Sequence, residues 1–159
     1  MQLREPRERV SPRARLMWAL VAAIEGLVLL AAVAIAGPLT GWLPLGWWVV
    51  GLVALLVVGY AVAVPQWRYA VHRWEVTGTA VYTQTGWWAR ERRIAPMSRI
   101  QTVDHVEGAI ARLFGLSTVT VTTASAAGAL EIEGLDREVA LALVDELTQM
   151  ADSVPGDAT

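Results

Sequence analysis

The sequence predicts an α+β membrane protein: a hairpin of two transmembrane helices followed by a small β domain closed by a C-terminal amphipathic helix. Three observations carry this. Two long apolar runs fall within the first 64 residues, alternating patterns typical of strands begin after them, and a stripe of apolar residues at helical spacing lies near the C-terminus.

The first run, Leu16 to Ala36, is broken only by Glu25, and the second, Leu45 to Val64, holds no charge. Each has the roughly 20 residues that a helix needs to cross about 30 Å of hydrocarbon. Backbone groups in lipid must be satisfied within the segment, which makes helices the economical reading. Pro44 stands where a first-turn proline is tolerated, and Pro65 predicts the end of the second helix. The connector, residues 37–44, is short, uncharged and rich in glycine and proline, so it forms a tight hairpin.

Arginine placement gives the orientation. Five arginines precede the first helix, Arg68 and Arg73 follow the second, and none lies in the connector. Both termini are therefore expected in the cytoplasm, with residues 1–15 as a basic N-terminal arm. Trp18, Trp42, Trp47, Trp48 and Trp67 fall near the expected bilayer surfaces. Ala34-Ile35-Ala36 resembles a signal-peptide cleavage site, but the length of the run and Glu25 weigh against removal.

Composition narrows the function. Over 159 residues, 55% are hydrophobic and the mean hydropathy is +0.43, above the usual range for soluble domains. The absence of cysteine removes disulfides, zinc fingers and thiol chemistry. A net charge of −2 argues against nucleic acid as a partner. No cofactor or metal is expected.

From Arg68 the pattern alternates. Residues 69–77 and 79–85 are rich in aromatic and β-branched types around Gly78 and read as a hairpin. Gly86 turns the chain into a stretch from Trp87 to Ile94, and Arg99 to Val106 follows Pro96. Residues 117–123 place valines on one face and threonines on the other, and 130–133 repeat the alternation. Ala109 to Phe114 reads as a short helix stopped by Gly115. The last helix starts after Asp136, with Val139, Ala140, Leu143, Val144, Leu147 and Met150 as its apolar stripe, and 152–159 form a polar tail expected to be disordered. Six or seven short strands cannot close on themselves without help, so a partly open barrel plugged by that helix is the expected packing.

In order along the chain, Arg68-Tyr69, Trp74-Glu75-Val76-Thr77, Gly86, Arg93-Ile94-Ala95-Pro96, Arg99-Ile100-Gln101, Arg112-Leu113-Phe114-Gly115-Leu116 and Val119 to Ala124 resemble the bacterial pleckstrin-homology-like (PH-like) domain of YdbS-like membrane proteins. The resemblance covers about residues 66–151, and the two preceding helices fit the same layout. It implies a split β-barrel with a C-terminal helix in a membrane-bound bacterial protein, often encoded beside a larger relative with several such domains. It implies no known activity, because a fold of this kind is a scaffold that fixes no chemistry. PH domains that bind phosphoinositides use a basic loop between their first two strands. Here that turn is Thr77-Gly78-Thr79, without a basic residue, which argues against binding of that type.

The cations Arg90, Arg92, Arg93 and Arg99 beside Trp87 and Trp88 form the candidate partner or lipid surface. Tryptophan and arginine dominate interface hot spots, and the same pair can rest on an anionic bilayer. On a strand Arg90 and Arg92 share one face and Arg93 points the other way, so an ordinary solvated strand is the competing reading. Glu25 is the intramembrane polar residue; its simplest reading is a carboxyl that packs beside Gly26 against a neighbouring helix. His72 and His105 lack ligand spacing, and Asp104 and Glu107 near His105 have no nucleophile beside them, so no catalytic site is expected. The sequence therefore points to a membrane-tethered, non-catalytic interaction module with a membrane-protein partner, a homo-oligomer being open. The alternative is a domain that senses anionic phospholipid. Two helices with one glutamate do not line a transport path unless the protein oligomerises.

Overall fold

A computed structural model of the chain describes residues 5–40, 48–86, 88–124 and 128–153. Helix α1 spans Ala14–Thr40 and α2 spans Trp48–Val71. Their apolar stretches Ala14–Gly37 and Trp48–Val71 are each long enough to cross a bilayer, and most of their surface faces outward. The two helices pack on each other where α1 has no side chain: a Cβ on Gly26 would overlap Val57 Cγ1. Glycine at this point lets the backbones approach, as is usual where helices meet in lipid.

Both helices outrun their sequence-predicted limits of 16–36 and 45–64. α1 begins at Ala14 and continues through Gly37 and Pro38 to Thr40. The rest of the expected connector, including Pro44, Trp42 and Trp47, lies outside the described residues. α2 does not stop at Pro65 but continues to Val71. Proline removes one backbone donor and crowds the preceding turn. Membrane helices tolerate it when neighbours cover the freed groups, and Pro65 is fully buried.

The extension shortens the first expected strand. The strands are β1 (Glu8–Arg9), β2 (Arg73–Val76), β3 (Ala80–Thr85), β4 (Glu91–Pro96), β5 (Ile100–Val106), β6 (Leu116–Thr123) and β7 (Leu130–Asp136). They form two antiparallel sheets, β1-β2-β3-β4 and β5-β6-β7, joined through a 3-10 turn at Met97–Arg99. Short helix α3 (Ala109–Leu113) joins β5 to β6, and Gly115 at φ +66° ends it. Helix α4 (Arg137–Ser153) packs on β5 and β6 and covers the open side of the barrel. Residues 154–159 of the expected tail lie outside the described residues, whereas 152 and 153 are helical.

Alternation in β6 works as expected: Val119 and Val121 are buried and the intervening threonines are half-exposed. They join Val81, Met97, Ile132 and Leu135 in a core that α4 completes with Ala140, Leu143 and Leu147. Val139, expected in the apolar stripe of α4, is exposed instead; it lies in the first turn, before the helix has settled onto the sheet.

The N-terminal segment is not a free arm. Glu8 and Arg9 pair with Trp74 and Arg73, adding β1 to the first sheet. Two residues later the Ser11 N–H donates to the Gly134 carbonyl on β7 at 2.8 Å, and the Ser11 hydroxyl donates to Asp136 Oδ1 at 2.9 Å. The segment thus stitches one sheet to the other. Val10, Ala14 and Trp18 bury themselves with Leu116 in a second apolar cluster. Gly134 has φ +75°, and a Cβ there would stand 2.8 Å from the Ala14 Cβ.

Gly134→Ala should therefore loosen this stitch. The left-handed conformation alone costs a non-glycine residue about 1–3 kcal/mol, before the overlap with Ala14 is counted. Thermal unfolding of the detergent-solubilised chain should shift downward, and trypsin should cut faster after Arg7 or Arg9. Unchanged cleavage there would show that the segment is not held in this way.

Candidate functional site

Tyr60, Val64 and Arg68 of α2, with His72 one residue past its end, stand in a row at four-residue spacing that runs across Pro65, one face of a helix. This row faces the polar outer side of the barrel, and a cavity of about 500 Å³ lies between them. Thr83 and Thr85 of β3, Glu91 and Arg93 of β4, and Glu131 and Glu133 of β7 line the opposite walls.

Arg68 is the hub of the junction. Its Nη2 lies 2.6 Å from Glu133 Oε2, and its guanidinium sits over the Trp18 ring with 4.4 Å to the centroid. A planar guanidinium presents its face to the indole and its edge to the carboxylate at the same time. Trp18 also meets the His72 ring, with centroids 5.2 Å apart. Trp18 therefore lies inside the junction of α1, α2 and the barrel, not on the bilayer surface as its sequence position predicts. The C-terminus of α2 is fixed by Gln84, whose Nε2 donates to the Val71 carbonyl at 3.1 Å while its Oε1 accepts from Arg92 Nε at 2.8 Å.

His72 is only 5% exposed, and its Nδ1 has no hydrogen-bond partner among the described residues. Burial, and then the neighbouring Arg68 charge, lower its pKa from the ordinary 6.5 to about 4. The imidazole is thus neutral at physiological pH. The cavity walls then hold two guanidiniums against three carboxylates. Arg93 completes the opposite wall: its Nε lies 2.7 Å from Glu91 Oε1, and its Nη1 donates to the Ala129 carbonyl at 3.0 Å.

The arginines that the sequence groups together do not form one patch. Arg92 turns toward Gln84, with Nη2 3.1 Å from Glu5 Oε1, and Arg90 lies 3.8 Å from the same carboxylate. Arg93 points to the other face, into the cavity. Arg99 is exposed on the 3-10 turn, its carbonyl accepting from Ala124 N. Trp88 is 88% exposed in the β3–β4 turn. Trp87 lies outside the described residues. His105 and Glu107 stand at the end of β5, where the Glu107 carboxylate binds Arg137 at 2.7 Å and ties that strand to the start of α4, a structural role.

Glu25 departs from its expected place. Gly26 faces α2, but Glu25 is on the exposed side of α1, with Val28, Leu29 and Ala32 along the same ridge. The reason is angular: consecutive residues of a helix stand about 100° apart, so Gly26 in the contact turns Glu25 away from it.

Sequence reasoning missed the cavity because it ended α2 at Pro65. The i, i+4, i+8, i+12 spacing from Tyr60 to His72 is visible in the chain, but it becomes meaningful only when the helix is carried through the proline.

Two spanning helices joined through direct contacts to a split barrel with a closing helix define a membrane-anchored PH-like protein. A family model described as bacterial PH domain matches residues 16–151, which takes in both helices as well as the barrel. The chain belongs to that bacterial PH domain family. It is similar to the UPF0699 transmembrane protein YdbS of Bacillus subtilis (strain 168), at 30% identity over 154 residues, covering 92% of this chain and 94% of the relative. No solved structure matches it.

The His72 environment gives a pH dependence with a definite sign. A folded-state pKa below the unfolded value means that the unfolded chain binds more protons between about pH 4 and 6.5. Stability is therefore full above pH 6.5 and falls as the pH drops toward 4, by up to about 3 kcal/mol. His72→Phe should flatten this part of the profile relative to wild type, read as the midpoint of thermal unfolding in detergent at several pH values. Parallel profiles for the two proteins would refute the assignment.

Proposed function

We propose that the chain is a membrane-anchored, non-catalytic interaction module. Both termini are cytoplasmic, and it assembles with another membrane protein through the outward ridge of α1. The observation that carries this reading is Glu25: a carboxyl near the middle of the Ala14–Gly37 span, on the side of α1 turned away from α2. An acidic group in the centre of a spanning helix costs on the order of 3 kcal/mol when it faces hydrocarbon, so such residues normally meet a polar partner. No residue of the chain supplies one among the described residues. A donor from a neighbouring helix would satisfy Glu25, while Val28, Leu29 and Ala32 pack beside it.

The orientation is supported by the arginines flanking the two helices and by their absence from the connector. A partner of the same class, a larger protein with several PH-like domains, fits the layout that the family resemblance implies. The anionic-lipid reading has less support, since Arg90 and Arg92 both lie against Glu5 and Arg93 against Glu91.

A photo-crosslinking residue placed at Val28 in intact cells should give an adduct with a membrane polypeptide, and Glu25→Leu should reduce that adduct severalfold while Glu25→Gln largely keeps it. A crosslinker at Leu55, exposed on α2, serves as the control. Lipid adducts alone at position 28, or an adduct indifferent to Glu25→Leu, would overturn the proposal.

A further inference from the structure

Helix α3 does more than join β5 to β6: it lies against α1, whose apolar stretch begins at Ala14. One face of α3 makes that contact. Ala111 and Phe114 pack into the cluster that Val10, Ala14, Trp18 and Leu116 bury at the first turns of α1. Just past α3, Arg13 Nη1 stands 3.6 Å from the point where a Cβ on Gly115 would project. The short helix is thus held at the height where α1 enters lipid. Its remaining face carries Leu113, which is 78% exposed.

That height is marked on both spanning helices. Arg15 Nη1 lies 3.5 Å from Gln66 Oε1, which puts the start of α1 level with the part of α2 just past Pro65. Leu16 and the Trp67 indole are both exposed there, beside arginines whose long stems let the charged heads stay in water. Indoles and basic residues of this kind collect at the headgroup layer. An apolar side chain on a neighbouring short helix fits the boundary between headgroups and acyl chains.

α3 is also fixed at both ends. Glu107, just before it, meets Arg137 of α4 at 2.7 Å and Arg112 at 3.7 Å. After it, the Gly115 carbonyl accepts from the Arg137 N–H at 3.1 Å. Leu113 therefore stays where the fold puts it.

We propose that α3 is a third contact with the bilayer, in which Leu113 enters the interface at the level of Leu16. The partner is the lipid surface itself. The contact is apolar, since Arg112 and Arg137 are both drawn to Glu107. It holds whether or not Glu25 has a partner.

The chain has no cysteine, so Leu113→Cys gives a unique labelling site at an exposed position. An environment-sensitive fluorophore there is compared with one at Gly78→Cys in the β2–β3 turn, where a side chain meets open space. Each full-length chain is reconstituted at one copy per nanodisc, in phosphatidylcholine alone and with phosphatidylglycerol added. Doxyl groups high on the acyl chain should quench the label at 113 several-fold more than the label at 78, to the same extent in both lipids. Aqueous iodide should favour the label at 78. A diazirine residue of leucine's shape at position 113 removes the dye's own affinity for lipid, and it should give phospholipid adducts on illumination. Equal iodide access at 113 and 78 without doxyl quenching would overturn the proposal. Protection from iodide without doxyl quenching would do the same, because protein would then cover the site. Quenching confined to the anionic discs would make charge the cause and also refute it. So would a diazirine that gives no lipid adduct, since the dye would then have made the contact by itself.

Discussion

The Arg68 guanidinium, held between the Trp18 ring and the Glu133 carboxylate, is the contact on which the rest of the architecture depends. It joins α1, α2 and β7 at a single side chain, where a membrane helix becomes part of a folded domain. A guanidinium suits the position because its face is weakly hydrated and can lie on an indole while its edge stays paired. The remaining contacts of the junction follow from it. His72 is pressed against the same indole and kept neutral, and Gln84 closes the last turn of α2 from the barrel side. Because the helix passes through Pro65 without stopping, the spans and the barrel share one continuous element instead of a linker.

The N-terminal segment supplies the second constraint. Two short sheets leave unpaired edges that would otherwise be open to other chains. Here β1 pairs with the edge of β2 and its continuation bonds to Gly134 on β7, so the segment before α1 also completes the barrel after α2. The two ends of the domain are thereby tied to both membrane helices. The barrel is tied to the segment before α1 by the Ser11–Gly134 hydrogen bond and to α2 by the Arg68–Glu133 pair.

A PH-like barrel fixes no chemistry, so function lies in how this one is mounted. The mounting separates two surfaces. One is the ridge of α1 on which Glu25 stands exposed; the other is the outer side of the barrel, where Trp88 stands exposed in the β3–β4 turn. Between them lies a charged cavity whose arginines are already paired with glutamates, consistent with a structural seam between helix and barrel. The bacterial PH domain match starting inside α1 agrees with helices and barrel forming one unit.

The two apolar runs, the strand alternation in β6 and β7, the glycine stop after α3 and the closing helix were legible in the chain because each is a local pattern with its own period. The class of the domain was legible too, through motifs spread from Arg68 to Ala124. The end of α2 was not, since a proline reads as a stop unless its surroundings are known, and here Pro65 is fully buried inside a helix that continues to Val71. For the same reason Arg68 and His72 looked like flanking residues. The arginine cluster around β4 was legible in part: strand alternation separates Arg93 from Arg90 and Arg92, but the pairing of those two with Glu5, some 85 residues away in the chain, was not. Glu25 could be named from sequence as an intramembrane acid, but which side of α1 it occupies depended on Gly26 meeting Val57. Sequence by itself thus determined which segments enter lipid, which form strands, and what family the barrel belongs to, since those depend on local hydrophobic period and short motifs. Tertiary structure alone decided where the helix ends, what the N-terminal segment does and which charges are paired, since these depend on contacts between residues far apart along the chain.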